Sequence, residues 1–218
     1  MIYRKCIKRL LDIIFSVIFF ICLLPIILLC CLFVKTTSKG EVFYLQKRVG
    51  INKEIFTIIK FRTMLKAADK EQKLGVEVNL NDARITTVGE VLRRLKIDET
   101  MQLINVIKGD MSFIGPRPTL PEYLDIYDEW EMNRFRVRPG LSGLAQVKGN
   151  IYLSRQQKSY YDVEYIKQIG FITDIKILIR TLGVVILGEE RFLEIPKDSE
   201  QQTAIVEPKT DSSEGGRI

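Results

Sequence analysis

The chain has 218 residues, a formal net charge of +6 and no histidine. Its length provides for one domain with a proper core and a membrane segment, but hardly for two independent domains. The lack of histidine excludes Ser-His and Cys-His nucleophile systems and every zinc site that uses histidine. Acid, base or metal chemistry therefore has to rely on carboxylates.

The positive charge is concentrated near the N-terminus. Residues 1 to 60 contain 10 Lys and Arg against 3 acidic residues, whereas residues 61 to 218 contain 23 against 24. This basic excess flanks an apolar segment, which favours an anionic membrane surface rather than nucleic acid as the partner. All four cysteines lie in or beside that segment without metal-ligand spacing, and we expect them to be reduced.

The apolar segment from Ile13 to Val34 has 22 residues without a formal charge, and about 20 suffice to cross a bilayer as a helix. It is too long for a signal peptide and lacks a small-residue cleavage site. Basic residues stand on both flanks, and Pro25 removes a backbone hydrogen bond near the middle. These features predict a re-entrant helix-break-helix that enters and leaves by one leaflet. A kinked single span is the alternative.

Beyond this segment the pattern predicts a mostly helical α/β, membrane-associated domain. Two short strands over 42–46 and 54–61 are expected to form a hairpin with its turn at 50–52. The polar C-terminal end lacks periodicity and is expected to be disordered. The predicted division is a re-entrant membrane anchor over 1–36, a cytosolic catalytic domain over 37–195 and a tail over 196–218.

Short helices are predicted in the middle of the chain. Thr87 is expected to cap a helix that runs to about Lys96, and Asp98 to cap a second helix that runs to about Lys108. A further helix is predicted over 154–169.

The segment 174–187 is strongly apolar and has helical spacing. It belongs either to the core or to a helix that lies on the membrane interface. The apolar residues at this spacing are Ile175, Leu178, Ile179, Leu182 and Ile186.

Asp98 and Glu99 are the candidate chemical residues, because they are adjacent carboxylates with Arg93 shortly before them. Mg²⁺ typically binds one or two carboxylates and otherwise water and phosphate oxygens. An Asp can also attack phosphorus directly and form an acyl phosphate. The alternative is a purely structural role, since Asp is a common helix cap and Glu is favoured in a first turn.

Basic residues near these carboxylates are candidate phosphate ligands. Arg117 stands between two prolines, so its backbone is restricted and its side chain is suited to bidentate phosphate binding. It could equally brace a carboxylate of the loop. Lys60 and Arg62 alternate at the end of a predicted strand and therefore face one side, towards either phosphate or solvent. A Walker or dinucleotide-binding glycine loop is absent from the sequence.

Several ordered motifs together are typical of one family. The chain resembles the small monotopic phosphoglycosyl transferases, also called bacterial sugar transferases, from about Lys5 to about Leu187. The segment that resembles them most is Ile97 to Pro118, which reads IDETMQLINVIKGDMSFIGPRP. The other matching motifs are FYLQKRVG at 43–50, KFRTM at 60–64, DARIT at 82–86, RPGLSGLAQV at 138–147 and DVEY at 162–165.

The resemblance implies a Mg²⁺-dependent enzyme. It would transfer a sugar 1-phosphate from a UDP-sugar to undecaprenyl phosphate and release UMP, through a covalent enzyme intermediate. Asp98 would be the nucleophile and, with Glu99, would hold the metal, while Lys60, Arg93 and Arg117 would contact phosphates. The family's re-entrant hairpin places the domain on the cytoplasmic face of the bacterial inner membrane. The sugar and the glycan pathway are not readable from these residues, and the apolar surfaces would allow a homodimer.

The sequence departs from the family pattern at three places, and Glu41, where Pro is common, has no consequence that the sequence shows. Thr100-Met101 stands where Leu-Pro is frequent, which alters the helix start but keeps both carboxylates. Leu24 precedes Pro25 where a small polar residue is frequent, which affects the membrane break rather than the chemistry. A non-catalytic membrane adaptor and a Mg²⁺-dependent phosphotransferase with another nucleotide-activated donor are the competing hypotheses.

Overall fold

The computed structural model describes residues 2–37, 40–65, 82 and 84–196. The predicted tail, except for Pro196, lies outside these residues. The described part is mostly helical, as predicted. The helices are α1 (Lys8–Thr37), α2 (Thr87–Arg94), α3 (Leu103–Lys108), α4 (Arg155–Lys167) and α5 (Phe171–Leu187), and the strands are β1 (Phe43–Val49), β2 (Ile55–Phe61), β3 (Ser112–Ile114) and β4 (Gly140–Ser142).

Helix α1 has 30 residues and is long and apolar enough to cross a membrane, judged by length and composition. It continues through Pro25 without interruption. Proline removes one hydrogen bond of the helical ladder, and the bonds on both sides keep this helix continuous. The predicted break is therefore not confirmed, and the re-entrant course stays a prediction.

Both halves of α1 pack against the rest of the chain. Near its start, Arg9 donates hydrogen bonds to the carbonyls of Val106 and Ile107 at 2.6 and 2.9 Å, and Asp12 accepts one from the Phe113 amide at 3.1 Å. Beyond Pro25, one face of the helix enters a hydrophobic core cluster. That cluster contains Ile27, Cys30, Val34, Phe61, Leu92 and Met101.

Strands β1 and β2 form the predicted antiparallel hairpin, with Phe43 opposite Phe61 and Val49 opposite Ile55. Alternate side chains of a strand point to opposite faces. Ile58 is buried against α3, whereas Phe61 is buried in the cluster shared with α1. Lys60 lies on the same face as Ile58, and the hairpin thereby directs it towards the chain segment that precedes α3.

Two caps show how local sequence sets the helix starts. The hydroxyl of Thr86, not of Thr87 as predicted, caps α2 by accepting a hydrogen bond from the Gly89 amide at 2.9 Å. Helix α4 begins with a reciprocal capping box between Ser154 and Gln157. The predictions of these two helices are thus confirmed, with the first start shifted by one residue.

Helix α5 leaves most of its apolar residues outside the core. Its buried residues are Asp174, Ile177 and Val184. The five apolar residues at helical spacing are exposed, from 39% at Ile175 to 79% at Ile186. For these five residues the core alternative is wrong, and the interfacial alternative remains.

Strands β3 and β4 run parallel, with backbone in direct contact at glycines. A Cβ added to Gly140 would lie 2.1 Å from the Gly115 nitrogen, and one added to Gly143 would lie 2.1 Å from the Gly115 carbonyl oxygen. No side chain fits at Gly140 or Gly143, because the atoms it would meet belong to the backbone and cannot move aside as a flexible side chain could. The junction holds the base of the Gly115-Pro116-Arg117-Pro118 loop.

Candidate active site

Asp98 and Glu99 lie inside a short 3₁₀ helix, Ile97–Gln102, which leads into α3. The residue at its cap position is Lys96, in the left-handed conformation with φ 56° and without a side-chain capping bond. The predicted capping role of Asp98 is therefore wrong. The chain turns sharply between α2 and this helix, and the turn places the cap two residues before Asp98.

Glu99 is paired with two of the predicted basic residues. Its Oε1 atom accepts hydrogen bonds from Lys60 Nζ at 2.6 Å and from an Arg117 Nη atom at 2.9 Å. Burial alone would raise the pKa of Glu99, but the charges of Arg117 and Lys60 and their hydrogen bonds outweigh it and hold that pKa well below its usual range. Glu99 is therefore ionised.

Asp98 has a different environment from its neighbour. It is 9% exposed, and none of the described residues donates a hydrogen bond to its carboxylate. Burial and the adjacent charge of Glu99 raise its pKa, although Lys60, Arg93 and Arg117 act in the opposite direction. One carboxylate of the pair is thus tied by cations, and the other is left available for chemistry.

The remaining predicted phosphate ligands differ in their placement. Arg93 donates from Nε to the Thr63 hydroxyl at 2.8 Å, and its charge acts on both Asp98 and Glu99. Burial lowers the pKa of Lys60, and the charge of Glu99 opposes that effect. The Arg62 guanidinium instead lies beside Gly40. A Cβ added to Gly40 would lie 2.4 Å from the Nη1 atom of Arg62. Contacts between Arg62 and the two carboxylates are absent from the described part of the chain.

Two arginines that the sequence does not single out as site residues hold the Arg117 loop. Arg48 donates to the carbonyl of Pro118 at 3.3 Å, and Arg134 donates to the carbonyl of Arg117 at 3.0 Å. Burial and the nearby charge of Arg117 lower the pKa of Arg48 to about 10. Because proline has no backbone N–H, a proline-flanked loop is held mainly by hydrogen bonds to its carbonyls. The two prolines therefore indicate that hydrogen-bond donors are needed, but the sequence does not show which residues supply them.

The sequence of this chain is similar to those of known proteins. The model of the family described as bacterial sugar transferase matches residues 3–188. An uncharacterised sugar transferase, EpsL, of Bacillus subtilis (strain 168) is 38% identical over 182 residues, which cover 84% of this chain and 88% of that protein.

Two further relatives carry names that specify a reaction. The UDP-N-acetylgalactosamine-undecaprenyl-phosphate N-acetylgalactosaminephosphotransferase of Aeromonas hydrophila is 38% identical, covering 84% of this chain and 44% of that protein. The UDP-glucose:undecaprenyl-phosphate glucose-1-phosphate transferase of Caulobacter vibrioides (strain ATCC 19089 / CIP 103742 / CB 15) is 37% identical, covering 85% and 72%. The chain therefore belongs to the bacterial sugar transferase family and is a phosphoglycosyl transferase enzyme.

Proposed function

We propose that this enzyme transfers a sugar 1-phosphate from a UDP-sugar to undecaprenyl phosphate and releases UMP, as the first membrane step of glycan assembly. The observation that carries the proposal is the contrast between an unbonded Asp98 and a neighbouring Glu99 bound by Lys60 and Arg117. Such a cluster supplies a nucleophile and cations at one place. The names of the two relatives support the same donor and acceptor classes.

The cations of the site are suited to a diphosphate. Arg117 presents a side chain that is 45% exposed and can be reached by a water-soluble donor. Its planar guanidinium can bind two phosphate oxygens at once. Lys60 and Arg93 add charge from the buried side of the site, where its electrostatic effect is stronger than in water. When the donor binds, its phosphates compete with Glu99 for Arg117 and Lys60.

Asp98 is proposed as the nucleophile of a two-step transfer. Its carboxylate oxygen forms a bond to the sugar-bearing phosphorus, the bond from that phosphorus to the bridging oxygen breaks, and UMP leaves with the electron pair. An oxygen of undecaprenyl phosphate then attacks the same phosphorus and displaces the Asp98 carboxylate. The enzyme is regenerated, and the sugar ends on a lipid diphosphate.

Mg²⁺ is the proposed cofactor, with Asp98 and Glu99 as its protein ligands. Clusters of three or more potential metal-binding side chains are absent from the described residues. An adjacent carboxylate pair nevertheless fits Mg²⁺, which takes most of its ligands from water and phosphate. The Asp98 oxygens and the second Glu99 oxygen are the available donors. When bound, the metal offsets negative charge on the diphosphate and on the departing UMP.

The membrane contact is proposed to involve α1 and α5 together. Tyr3, just before α1, contacts the Phe171 ring of α5 at a centroid distance of 5.9 Å, and Lys8 forms an ion pair with Asp174 at 2.6 Å. These contacts bring the starts of the two apolar helices together. A lipid substrate and a soluble donor both have access to a site at such an interface.

We propose that α1 enters and leaves by the cytoplasmic leaflet, because both of its halves pack against the same domain. The test uses Arg4→Cys and Thr37→Cys in a chain whose native cysteines are replaced. A membrane-impermeant maleimide should label both positions in inverted inner-membrane vesicles and neither in spheroplasts. Labelling of one position in each preparation would indicate a single span.

Radiolabelled donors test the function directly. Membranes that contain the enzyme should convert a UDP-sugar into a labelled, solvent-extractable lipid with stoichiometric release of UMP. A panel with UDP-glucose, UDP-galactose and UDP-N-acetylgalactosamine is needed, because the two named relatives use different sugars. Release of CMP from a CDP-activated donor would favour another phosphotransferase, and a lack of any lipid product would favour the adaptor hypothesis.

A further inference from the structure

We infer that Arg134, together with Asp162, positions Arg117 for phosphate binding by fixing the backbone of its loop. This inference rests on the proposed function, in which Arg117 contacts the donor. Arg134 itself is too deeply buried to reach a substrate, with 4% of its surface exposed. It is therefore a positioning residue and not a catalytic one.

The Arg117 loop has few ways of being held. Pro116 and Pro118 have no backbone N–H, so the loop depends on donors that reach its carbonyls. Three successive carbonyls each receive one such donor. The Gly140 amide bonds to Pro116 at 2.9 Å, Arg134 to Arg117 at 3.0 Å and Arg48 to Pro118 at 3.3 Å.

Arg134 is fixed by more partners than its bond to the loop requires. Its Nη2 atom forms an ion pair with Asp162 Oδ2 at 2.6 Å, and its Nη1 atom bonds to the Tyr127 hydroxyl. The guanidinium also lies 5.0 Å from the centre of the Tyr127 ring. Asp162 is only 2% exposed. The guanidinium therefore has one orientation, and the Arg117 carbonyl is held in relation to α4, which carries Asp162.

A stabilising role alone is a weak explanation for this pair. Removing two charges from water costs about as much as their attraction returns, so a buried ion pair often contributes little net stability. The hydrogen bonds that Arg134 donates to the Arg117 carbonyl and the Tyr127 hydroxyl, by contrast, are directional and fix geometry. Arg117 has its carbonyl bound to Arg134 on one side and its guanidinium 2.9 Å from Glu99 on the other. A shift of the carbonyl would move the guanidinium out of the site.

The variant Arg134→Lys keeps the charge but cannot reproduce the planar fork. We expect it to raise the KM for the donor by about 10- to 100-fold, since misplacements of about 1 Å have effects of this size, and to change kcat less. In an Arg117→Ala background the same substitution should have almost no further effect on KM. The probes are the UDP-sugars that the wild type accepts among UDP-glucose, UDP-galactose and UDP-N-acetylgalactosamine.

Arg155→Lys is the matched control. Arg155 lies on the same helix as Asp162 and pairs with the buried Glu131, close to Arg134, but it does not bond to the Arg117 loop. It should lower the Tm to a similar degree and leave the donor KM unchanged. If Arg134→Lys does not accumulate, Asp162→Asn provides the same test through the loss of the counterion.

Two results would overturn the inference. One is an unchanged donor KM in Arg134→Lys or Asp162→Asn. The other is an equal, additive effect of Arg134→Lys with and without the Arg117 side chain. A wild-type enzyme that transfers no sugar phosphate would instead overturn the proposed function, and this result is seen before any variant is made.

Discussion

The site around Asp98 and the outer surface of α1 and α5 are built on opposite principles. In the site, charged groups lie in a small, largely buried volume, and Lys60 and Arg117 share one oxygen of Glu99. On the outer surface, apolar side chains such as Ile179 and Ile186 are exposed and form no polar contacts. The comparison suggests that chemistry and membrane placement are separable, so that changes in one region leave the other intact.

Asp98→Asn should have the largest effect. The amide keeps the shape of the carboxylate but is not a nucleophile, and we expect sugar-phosphate transfer to fall on the order of 10⁴-fold or more, as for other covalent nucleophiles. Transfer into extractable lipid measures the loss. The amount of enzyme in membranes should not change, and near-wild-type transfer by this variant would disprove the nucleophile assignment.

Arg117→Lys should have the second-largest effect. Lysine keeps the charge but binds phosphate through a single point rather than a fork. Loss of one charged hydrogen bond corresponds to about 10- to 100-fold in kcat/KM for the donor. The matched control is Arg62→Lys, because Arg62 lies beside Gly40 and not at the carboxylates. Equal losses in the two variants would show that the loop arginine has no special role.

The pH dependence of UMP release should distinguish the two carboxylates. Asp98 must be ionised to attack, so the rate should fall as the pH decreases through its raised pKa. Glu99→Gln removes the like charge that raises this pKa and frees Lys60 and Arg117 to lower it further. The acid limb of the remaining activity should therefore move to lower pH.

Single-turnover measurements without undecaprenyl phosphate isolate this step from titration of the acceptor. Glu54→Gln is the control, since Glu54 is exposed in the turn of the hairpin and should leave the limb in place. A limb that stays fixed in Glu99→Gln, or moves to higher pH, would contradict the proposed coupling of the two carboxylates.

The smallest effect is expected on the outer surface of α5. Ile179→Glu combined with Leu182→Glu places charge on the exposed apolar face and should make the protein easier to extract from membranes with carbonate. The effect should be partial, because α1 stays apolar. Gln156→Glu adds charge to the exposed face of α4 and serves as control. Equal extraction of both variants would show that α5 does not contact lipid.

The parts of the fold that the sequence predicts are those governed by local rules. Two strand-like runs around a turn at 50–52 predict the β1–β2 hairpin. The helix predicted over 154–169 corresponds to α4, whose start is fixed by the local capping box at Ser154. The start of the 3₁₀ helix at Ile97 cannot be predicted, because a left-handed lysine at 96 has no recognisable signal in the sequence. The sequence does not determine whether the apolar side chains of α5 are exposed, because the same helical periodicity is compatible with a core position and with a membrane interface.

The candidate site depends on contacts that local rules do not supply. Lys60 and Arg117 are 39 and 18 residues away from Glu99 along the chain. Their meeting was expected only from family resemblance. Arg134 reads as part of a charged stretch, and its burial follows from Asp162 on a later helix. A charged residue whose partner lies far along the chain cannot be identified as internal from its neighbours alone.

The glycine junction between β3 and β4 has a consequence for engineering. Backbone atoms fill the places that side chains would occupy at Gly115, Gly140 and Gly143, so repacking of neighbouring side chains cannot make room there. A mutant library aimed at a new sugar donor should keep these three codons fixed. Diversity is better directed at positions where a new side chain can be accommodated without moving the loop that carries Arg117.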